Sequence, residues 1–441
     1  MKFYNRTQET KQIKDITSQT LEYGRMTVIT GRRRIGKTKM ALTVAKEFKH
    51  VYLFISKKSE LLLCNEFLNI IKTHFRVPVI GQITQFKDVF KLLLELSIVE
   101  QFILIIDEFQ EFFNINPSIY SDIQNLWDQY KNDIHMHLIF IGSVYSLMIK
   151  IFENNKEPLF GRADKTIYLG PFKARTIKDI LKDSNDYTPE NLFHYYLITG
   201  GVPRYLEILQ NNQIYSLKHI IDFIFEKDSP FLSEGKNLLI EEFGKEYGNY
   251  FSILELLSMG KNTRTQIESL LEMNIGGYLD NLEKQYHLIS KKQPFNAKKK
   301  GRVQRYCIDD NFLNFWFRFI YRYGSAIETE NFSYVKKILE RDLSTYSGPF
   351  LEKLFHECVA ETKQFNMIGR YWEKGNQNEI DLVAINELEK KMLLCEVKTN
   401  IKNFRMNQLK EKSQKIVMKY PGYTIDYKGL SLDNIKDYLG N

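Results

Sequence analysis

The sequence predicts an α/β protein, with a parallel sheet covered by helices, then a helical middle, then a second and smaller α/β domain. Three observations carry that expectation. Short β-branched runs alternate with helix-length stretches over residues 1–170, the pattern of a parallel sheet whose strands are buried on both faces. The segment Gly31-Arg-Arg-Arg-Ile-Gly36-Lys37-Thr38 stands between the first such run and the first such helix. Strand-like runs then return within residues 341–441.

Composition bounds the function classes. A chain of 441 residues corresponds to about three domains. With 43% hydrophobic and 26% charged residues, it can bury a core, which excludes wholesale disorder. The longest purely apolar run, 102–106, is far short of the roughly 20 residues a membrane helix needs. The start, MKFYNRTQETKQ, has charges where a signal peptide needs apolar residues, so a cytoplasmic protein without a membrane partner is expected. Cys64, Cys307, Cys358 and Cys395 are scattered without a C-x-x-C, as reduced thiols are. The net charge of +8 permits nucleic-acid binding without requiring it.

The elements follow in order. Residues 26–30, 51–55, 102–106, 136–141 and 166–169 read as strands, and 37–48, 61–75, 90–97 and 119–130 as the helices between them. Gly170-Pro171 ends this block. Residues 171–245 are mostly helical, with one break at Thr199-Gly-Gly-Val-Pro203. An amphipathic helix over 250–259, a second capped by Thr263 with Gln266 three residues on, and a third over 274–285 follow. Strands at 288–290 and 303–308 then flank KKQPFNAKKKGRVQR, seven bases and no acid. Three helices and a hairpin are the outline of a winged helix, with 274–285 placed for a major groove and the basic wing for phosphates. The aromatic stretch 312–323 reads as packing. A helix at 350–362, strands at 367–372, 379–385 and 392–397, and a helix at 403–420 complete the chain. The expected domains are 1–170, 171–245, 246–340 and 341–441.

Two constellations carry chemistry. The first segment matches G-x-x-x-x-G-K-[ST]. Its glycines let the backbone turn N–H groups toward phosphate, at a helix N-terminus that adds its dipole. Gly31, Arg34, Ile35, Gly36, Lys37, Thr38 and Lys39 make up this loop; Lys37 would meet the β and γ phosphates and Thr38 would ligate Mg²⁺. The strand ending in Asp107-Glu108 supplies the partners, with Asp107 on Mg²⁺ and Glu108 as general base. Ser143 ends a further strand, placed for the attacking water or γ-phosphate. Arg162 is the candidate for a finger reaching a neighbouring subunit, which would make the protein a homo-oligomer. Arg204 is the candidate γ-phosphate sensor.

The second constellation is Glu379-Ile-Asp381 followed by Cys395-Glu396-Val-Lys398. Alternation along a strand puts Glu396 and Lys398 on one face. If the two strands pair antiparallel, Asp381 joins them. Converging carboxylates call for a divalent cation, Mg²⁺ or Mn²⁺. A neighbouring lysine suits phosphodiester cleavage. Gln408 and Gln414 are further candidates for phosphate.

On these residues the chain resembles known families. Phe3-x-Asn5-Arg6-x-x-Glu9, GRRRIGKT, LIIDEFQ, FIGS, LFGR and GGVPRYL make residues 1–245 similar to the archaeal-type ATPases of the STAND-related branch of the AAA+ class. The resemblance implies a P-loop NTPase sheet with a helical lid, Asn5 and Arg6 near the adenine, and Gly201-Val-Pro203 closing the lid over ATP. The D-x(n)-E-x-K pattern, with Gly348-x-x-Leu351-Glu352 and Ile368-Gly-Arg-Tyr-Trp372, resembles the PD-(D/E)XK nucleases, a restriction-endonuclease-like α/β fold. Glu352 would then be the helix-borne acid of the metal site. The Pro-Asp dipeptide of that family is replaced by Glu379-Ile-Asp381. The resulting expectation is an ATPase that couples nucleotide state to a DNA-directed nuclease domain. DNA would be met through the winged helix and the C-terminal domain. The alternative is a nucleotide-dependent switch or scaffold whose nuclease-like domain only binds partners.

Overall fold

The computed structural model describes residues 2–76, 82–295, 297, 304–373 and 377–440. The chain divides into two compact units, Tyr4–Pro171 and Phe172–Asn441, the latter joined by Met1–Phe3.

The first unit is built on five parallel strands: β1 (Arg25–Thr30), β2 (His50–Phe54), β3 (Phe102–Asp107), β4 (Met136–Gly142) and β5 (Lys165–Tyr168), in the order β2-β3-β4-β1-β5. Each lies within a residue of its predicted bounds. The central strands β1, β3 and β4 are buried on both faces, which is why they read as unbroken apolar runs. Met26 and Val28, Leu104 and Ile106, Leu138 and Phe140 share one core with the helices Glu60–Phe75, Phe86–Val99 and Ile119–Tyr130. Their alternates Thr27, Ile29, Ile103, Ile105 and Ile139 are equally buried on the opposite face. There the helix Thr7–Gln19 packs on β1 and β4. The helix expected over 90–97 starts earlier, at Phe86, because Phe86, Val89, Phe90, Leu93 and Leu94 form one buried stripe. β4 lies between β1 and β3. This brings the loop after β1, the acids after β3 and the end of β4 to one sheet edge.

In the second unit, five helices (Ala174–Asp183, Pro189–Thr199, Pro203–Asn211, Leu217–Ile224, Pro230–Phe243) precede three more, Tyr247–Ser258, Arg264–Leu271 and Gly276–Asp280, the last continuing as a wider turn over Asn281–Gln285. The predicted capping box of Thr263 and Gln266 is present. The hairpin follows as β6 (Ile289–Lys292) and β7 (Arg305–Ile308), antiparallel. The aromatic stretch is core, as expected: Phe312, Phe315, Phe317 and Phe319 are buried, and the Trp316 indole donates to the Leu232 carbonyl. One helix, Phe332–Glu361, runs straight through the domain boundary expected at 340/341, so that boundary has to move outside it.

The last sheet has four strands, β8 (Met367–Tyr371), β9 (Ile380–Asn386), β10 (Lys391–Val397) and β11 (Thr424–Leu430), in the order β11-β10-β9-β8. β8, β9 and β10 are antiparallel neighbours, while β11 runs parallel to β10. The helix Phe332–Glu361 packs on this sheet, and the helix Met406–Val417 puts Leu409 and Ile416 into a core with Val383, Ile385 and Leu394.

Candidate functional site

The loop between β1 and the helix Lys37–Ala45 is shaped by its glycines. Gly31 has φ +148°, and a Cβ there would lie 2.4 Å from the Leu169 carbonyl oxygen. Gly36 has φ +88° with open space around it, so conformation rather than room demands glycine. Arg34 shares the left-handed region at φ 71°. The Lys37 ammonium, 6% exposed, donates to the carbonyls of Gly31 at 2.7 Å and Arg32 at 2.8 Å. It thus lies over the loop where a phosphate would replace those carbonyls. Ile35 is buried, while Arg34 and Lys39 are exposed at the surface of the loop and helix.

Asn5 and Arg6 both take left-handed backbone at the start of the helix Thr7–Gln19. The buried Arg6 guanidinium donates to the Gly170 carbonyl at 2.5 Å and to the Ile35 carbonyl at 3.4 Å. It therefore braces the phosphate loop against the end of the sheet. Burial lowers its pKa, with Glu9 opposing.

Asp107 is nearly enclosed. Its Oδ2 accepts from the Thr38 hydroxyl at 2.6 Å and the Tyr52 hydroxyl at 2.9 Å, and its Oδ1 accepts from the Glu108 amide at 2.8 Å. Burial raises the carboxyl pKa, and these three donors oppose the rise. A hydroxyl and a carboxylate oxygen side by side are the hard donors Mg²⁺ takes, so Thr38 and Asp107 fit the ion expected there. Glu108 sits at φ 54°, ψ 39°, which costs a non-glycine residue about 1–3 kcal/mol. That turn of the backbone swings its side chain toward the end of β4. Its Oε2 accepts from the Ser143 hydroxyl at 2.7 Å, and Arg33 Nε reaches Ser143 Oγ at 3.4 Å. Loop, acid and Ser143 are thus brought together. Tyr52 and Gln110, whose amide also bonds Glu108, are site residues that sequence reasoning missed.

Arg162 has its donors engaged within its own chain. They go to Asp128, at 2.8 Å for the shortest pair, and to the carbonyls of Pro158 and Phe160. A finger role in trans would require those bonds to break. In the second unit, Arg204 pairs with Glu207 at 3.0 Å. Pro203 opens a helix after Gly200 and Gly201, and a Cβ on Gly201 would lie 2.0 Å from the Phe172 carbonyl oxygen. Left-handed backbone at both glycines, φ +59° and +76°, and the close approach of the Phe172 backbone to Gly201 therefore account locally for the pair.

The C-terminal acids converge as the strand reading requires. β9 and β10 pair antiparallel in the register Cys395↔Leu382, which sets Glu396 beside Asp381. Asp381 Oδ2 accepts from the Val397 amide at 2.8 Å. Lys398 Nζ lies 3.0 Å from Glu396 Oε1, so both project from one face, and Lys412 from the following helix reaches the same oxygen at 3.2 Å. Burial pushes the Asp381 pKa up, while the two lysines hold that of Glu396 down against its own burial. Glu352 is paired with Arg370, which also faces Glu379 at 3.5 Å. Burial raises the Glu352 pKa to about 7; Arg370 opposes, and Asp381 and Glu379 add to the rise. With cations on Glu396 and Glu352, no group of three or more His, Cys, Asp or Glu among the described residues is set to hold a metal ion. As placed, Glu352, Asp381 and Glu396 do not form a complete ligand set.

The hairpin leans on this sheet. Arg305 pairs with Glu379 at 2.9 Å and stacks over Trp372 at 4.5 Å, and Phe295 joins the core of the four-stranded sheet. Lys291 pairs with Glu283 and Lys292 faces Asp309. Three of the seven bases therefore have acidic partners. Lys298, Lys299, Lys300 and Arg302 lie outside the described residues. Lys412, not Gln408 or Gln414, is the helix residue brought to the acids. No described helix is long and apolar enough to cross a membrane.

Residues 3–209 match an ATPase domain found predominantly in Archaea. Residues 316–415, which include Glu352, Asp381, Glu396 and Lys398, match archaeal and bacterial proteins of unknown function. An uncharacterised protein of Methanocaldococcus jannaschii is 29% identical over 407 residues, covering 90% of this chain and 87% of that protein. The Walker-type ATPase PABY2304 of Pyrococcus abyssi shares the fold, with a TM-score of 0.54 and 17% identity over 71% of this chain and 96% of its own. The P-loop and the acids after β3 both fall within residues 3–209, so this span is an ATPase domain with the loop and acids of ATP binding.

Proposed function

We propose that this AAA+-like ATPase couples ATP hydrolysis in its first unit to a DNA-directed, nuclease-like domain in its second. In the first unit Lys37 and the loop amides hold the phosphates, Thr38 and Asp107 hold Mg²⁺, and Glu108 takes a proton from the attacking water. Asn5 and Arg6 sit by the base, and Pro203 and Arg204 belong to the helical lid. The second unit would be a lid over 171–245, a winged helix within 246–340 and a nuclease-like domain from the long helix onward. There Asp381 and Glu396 are the carboxylates a divalent cation, Mg²⁺ or Mn²⁺, would take, and Lys398 the cation beside a scissile phosphate. Arg162 acting in trans would make the active form a homo-oligomer.

The observation that carries the coupling is a partly buried bond. Tyr196 Oη donates to Glu357 Oε1 at 2.6 Å, joining the helix Pro189–Thr199 to the helix that bears Glu352. Asn311 reinforces it by donating to the Tyr196 carbonyl at 2.9 Å. Lys178 caps the carbonyls of Leu439 and Gly440 near the chain end. Helices that follow the ATPase core are thus tied to the C-terminal sheet.

A second reading is a switch whose C-terminal domain binds partners without cleaving. The ion pairs that occupy Glu352 and Glu396 favour it. Incubation with labelled DNA, with and without ATP and Mn²⁺ and beside an ATPase assay, separates the two. ATP-dependent cleavage supports coupling to a nuclease; hydrolysis without cleavage of any DNA form supports the switch.

A further inference from the structure

We infer that Gln110 is the positioning residue for the catalytic carboxylate, an inference that rests on the reading of Glu108 as general base. Gln110 lies in the turn Phe109–Glu111, directly after β3, and its side chain is fully buried. Its two amide ends do different things. Nε2 donates to Glu108 Oε2 at 2.5 Å, and Oε1 accepts from the Ser143 backbone N–H at 3.3 Å. A carboxylate can only accept and a backbone N–H can only donate, so the amide has one orientation that satisfies both. Gly142 leaves the room: a Cβ there would lie 2.7 Å from Gln110 Oε1 and 2.2 Å from the Met148 sulfur.

The consequence falls on the two oxygens of Glu108. Oε2 takes both donors, the Gln110 amide and the Ser143 hydroxyl at 2.7 Å. Among the described residues no hydrogen bond is made to Oε1. One oxygen is clamped and the other is left to accept a proton. Since the backbone of Glu108 is in the left-handed region, the clamp also holds a side chain whose own chain direction is unfavourable. Neither Met nor Glu at position 110 reproduces this: Met has no donor, and Glu sets a second negative charge against the first.

The test is steady-state ATP hydrolysis by the full-length chain, wild type against Gln110→Met, Gln110→Glu and Glu108→Gln, with affinity for a fluorescent ATP analogue as the check on folding. Gln110→Met is expected to bind the analogue within about twofold of wild type, to keep KM, and to lose about 10- to 100-fold in kcat. Gln110→Glu is expected to lose kcat as well, because a carboxylate offers Glu108 Oε2 no amide donor. In a Glu108→Gln background, Gln110→Met is expected to cost nothing further, an outcome a purely structural role would not give. Wild-type kcat in Gln110→Met, with Glu108→Gln inactive, overturns the positioning role alone. An equal loss with and without Glu108, or a loss confined to binding, overturns it in favour of packing. A wild-type chain that binds ATP and never hydrolyses it removes the reading of Glu108 itself, and the inference with it.

Discussion

Tyr196, buried, and Glu357, half-buried, meet at 2.6 Å, so one hydroxyl binds the helices after the ATPase core to the helix that carries Glu352. Burial raises the Glu357 pKa and the Tyr196 hydroxyl opposes that rise. Tyr196→Phe should destabilise the protein by about 1–3 kcal/mol, because an acceptor is left buried without its donor. The sign with pH follows. Without the hydroxyl the folded carboxyl pKa climbs further, so the loss is small in acid, where Glu357 is neutral, and grows as pH rises. Urea unfolding at two pH values reads it; equal stability of variant and wild type at high pH would show the bond to be idle.

Lys37→Ala should abolish ATP binding, since the phosphates lose their main point charge. Glu108→Gln should bind ATP and lose hydrolysis, because an amide is no base. Equilibrium binding together with phosphate release checks both, and hydrolysis at the wild-type rate in the Gln variant would remove Glu108 from its role.

His137 gives a pH dependence of stability that owes nothing to catalysis. It is fully buried between the hydroxyls of Thr17 at 2.7 Å and Thr27 at 2.8 Å, and burial lowers its pKa to about 3. Below the ordinary imidazole pKa of about 6.5 the unfolded chain binds a proton that the folded one refuses. This residue should therefore cost about 1.4 kcal/mol per pH unit between those values on acidification. His137→Asn should be less stable at neutral pH and show a slope shallower by one proton. An unchanged slope would mean the ring is charged in the fold.

Replacing Lys298, Lys299 and Lys300 by Glu should weaken DNA binding and flatten its dependence on salt, because each phosphate no longer neutralised removes nearly one unit of slope. Affinity unchanged at low salt would make the hairpin a packing element, the role Arg305 on Glu379 and Phe295 in the sheet core already illustrate.

What could be read in the sequence was local. The phosphate loop needs glycines at fixed offsets before a Lys-Thr, and β3 ends in two acids, so Lys37, Thr38, Asp107 and Glu108 follow from neighbours in the chain. Glu396 and Lys398 followed from alternation along one strand, and Asp381 from an antiparallel partner strand. Gln110 did not, because its partner Ser143 is 33 residues away and only the insertion of β4 between β1 and β3 brings them together. Tyr52 was hidden as one aromatic in an apolar strand. β11 was missed because its side chains alternate between half-buried and exposed at a sheet edge, leaving no apolar run to read. Lys412 was one of several lysines on its helix until the fold turned that face to Glu396. The helix Phe332–Glu361 runs through the expected boundary with Pro349 in its interior, a residue that ordinarily kinks or ends a helix, and its packing on the sheet keeps it whole.

The coupling of ATP to DNA cleavage is tested most directly by one assay. Wild type and Asp381→Ala are incubated with labelled linear, nicked and supercoiled DNA, Mg²⁺ or Mn²⁺, and ATP, with hydrolysis followed in the same tubes. The account predicts that wild type cuts at least one form in the presence of ATP, and that Asp381→Ala hydrolyses ATP at the wild-type rate and cuts none. Cleavage that survives in Asp381→Ala, or wild-type hydrolysis with every DNA form left intact, would contradict it.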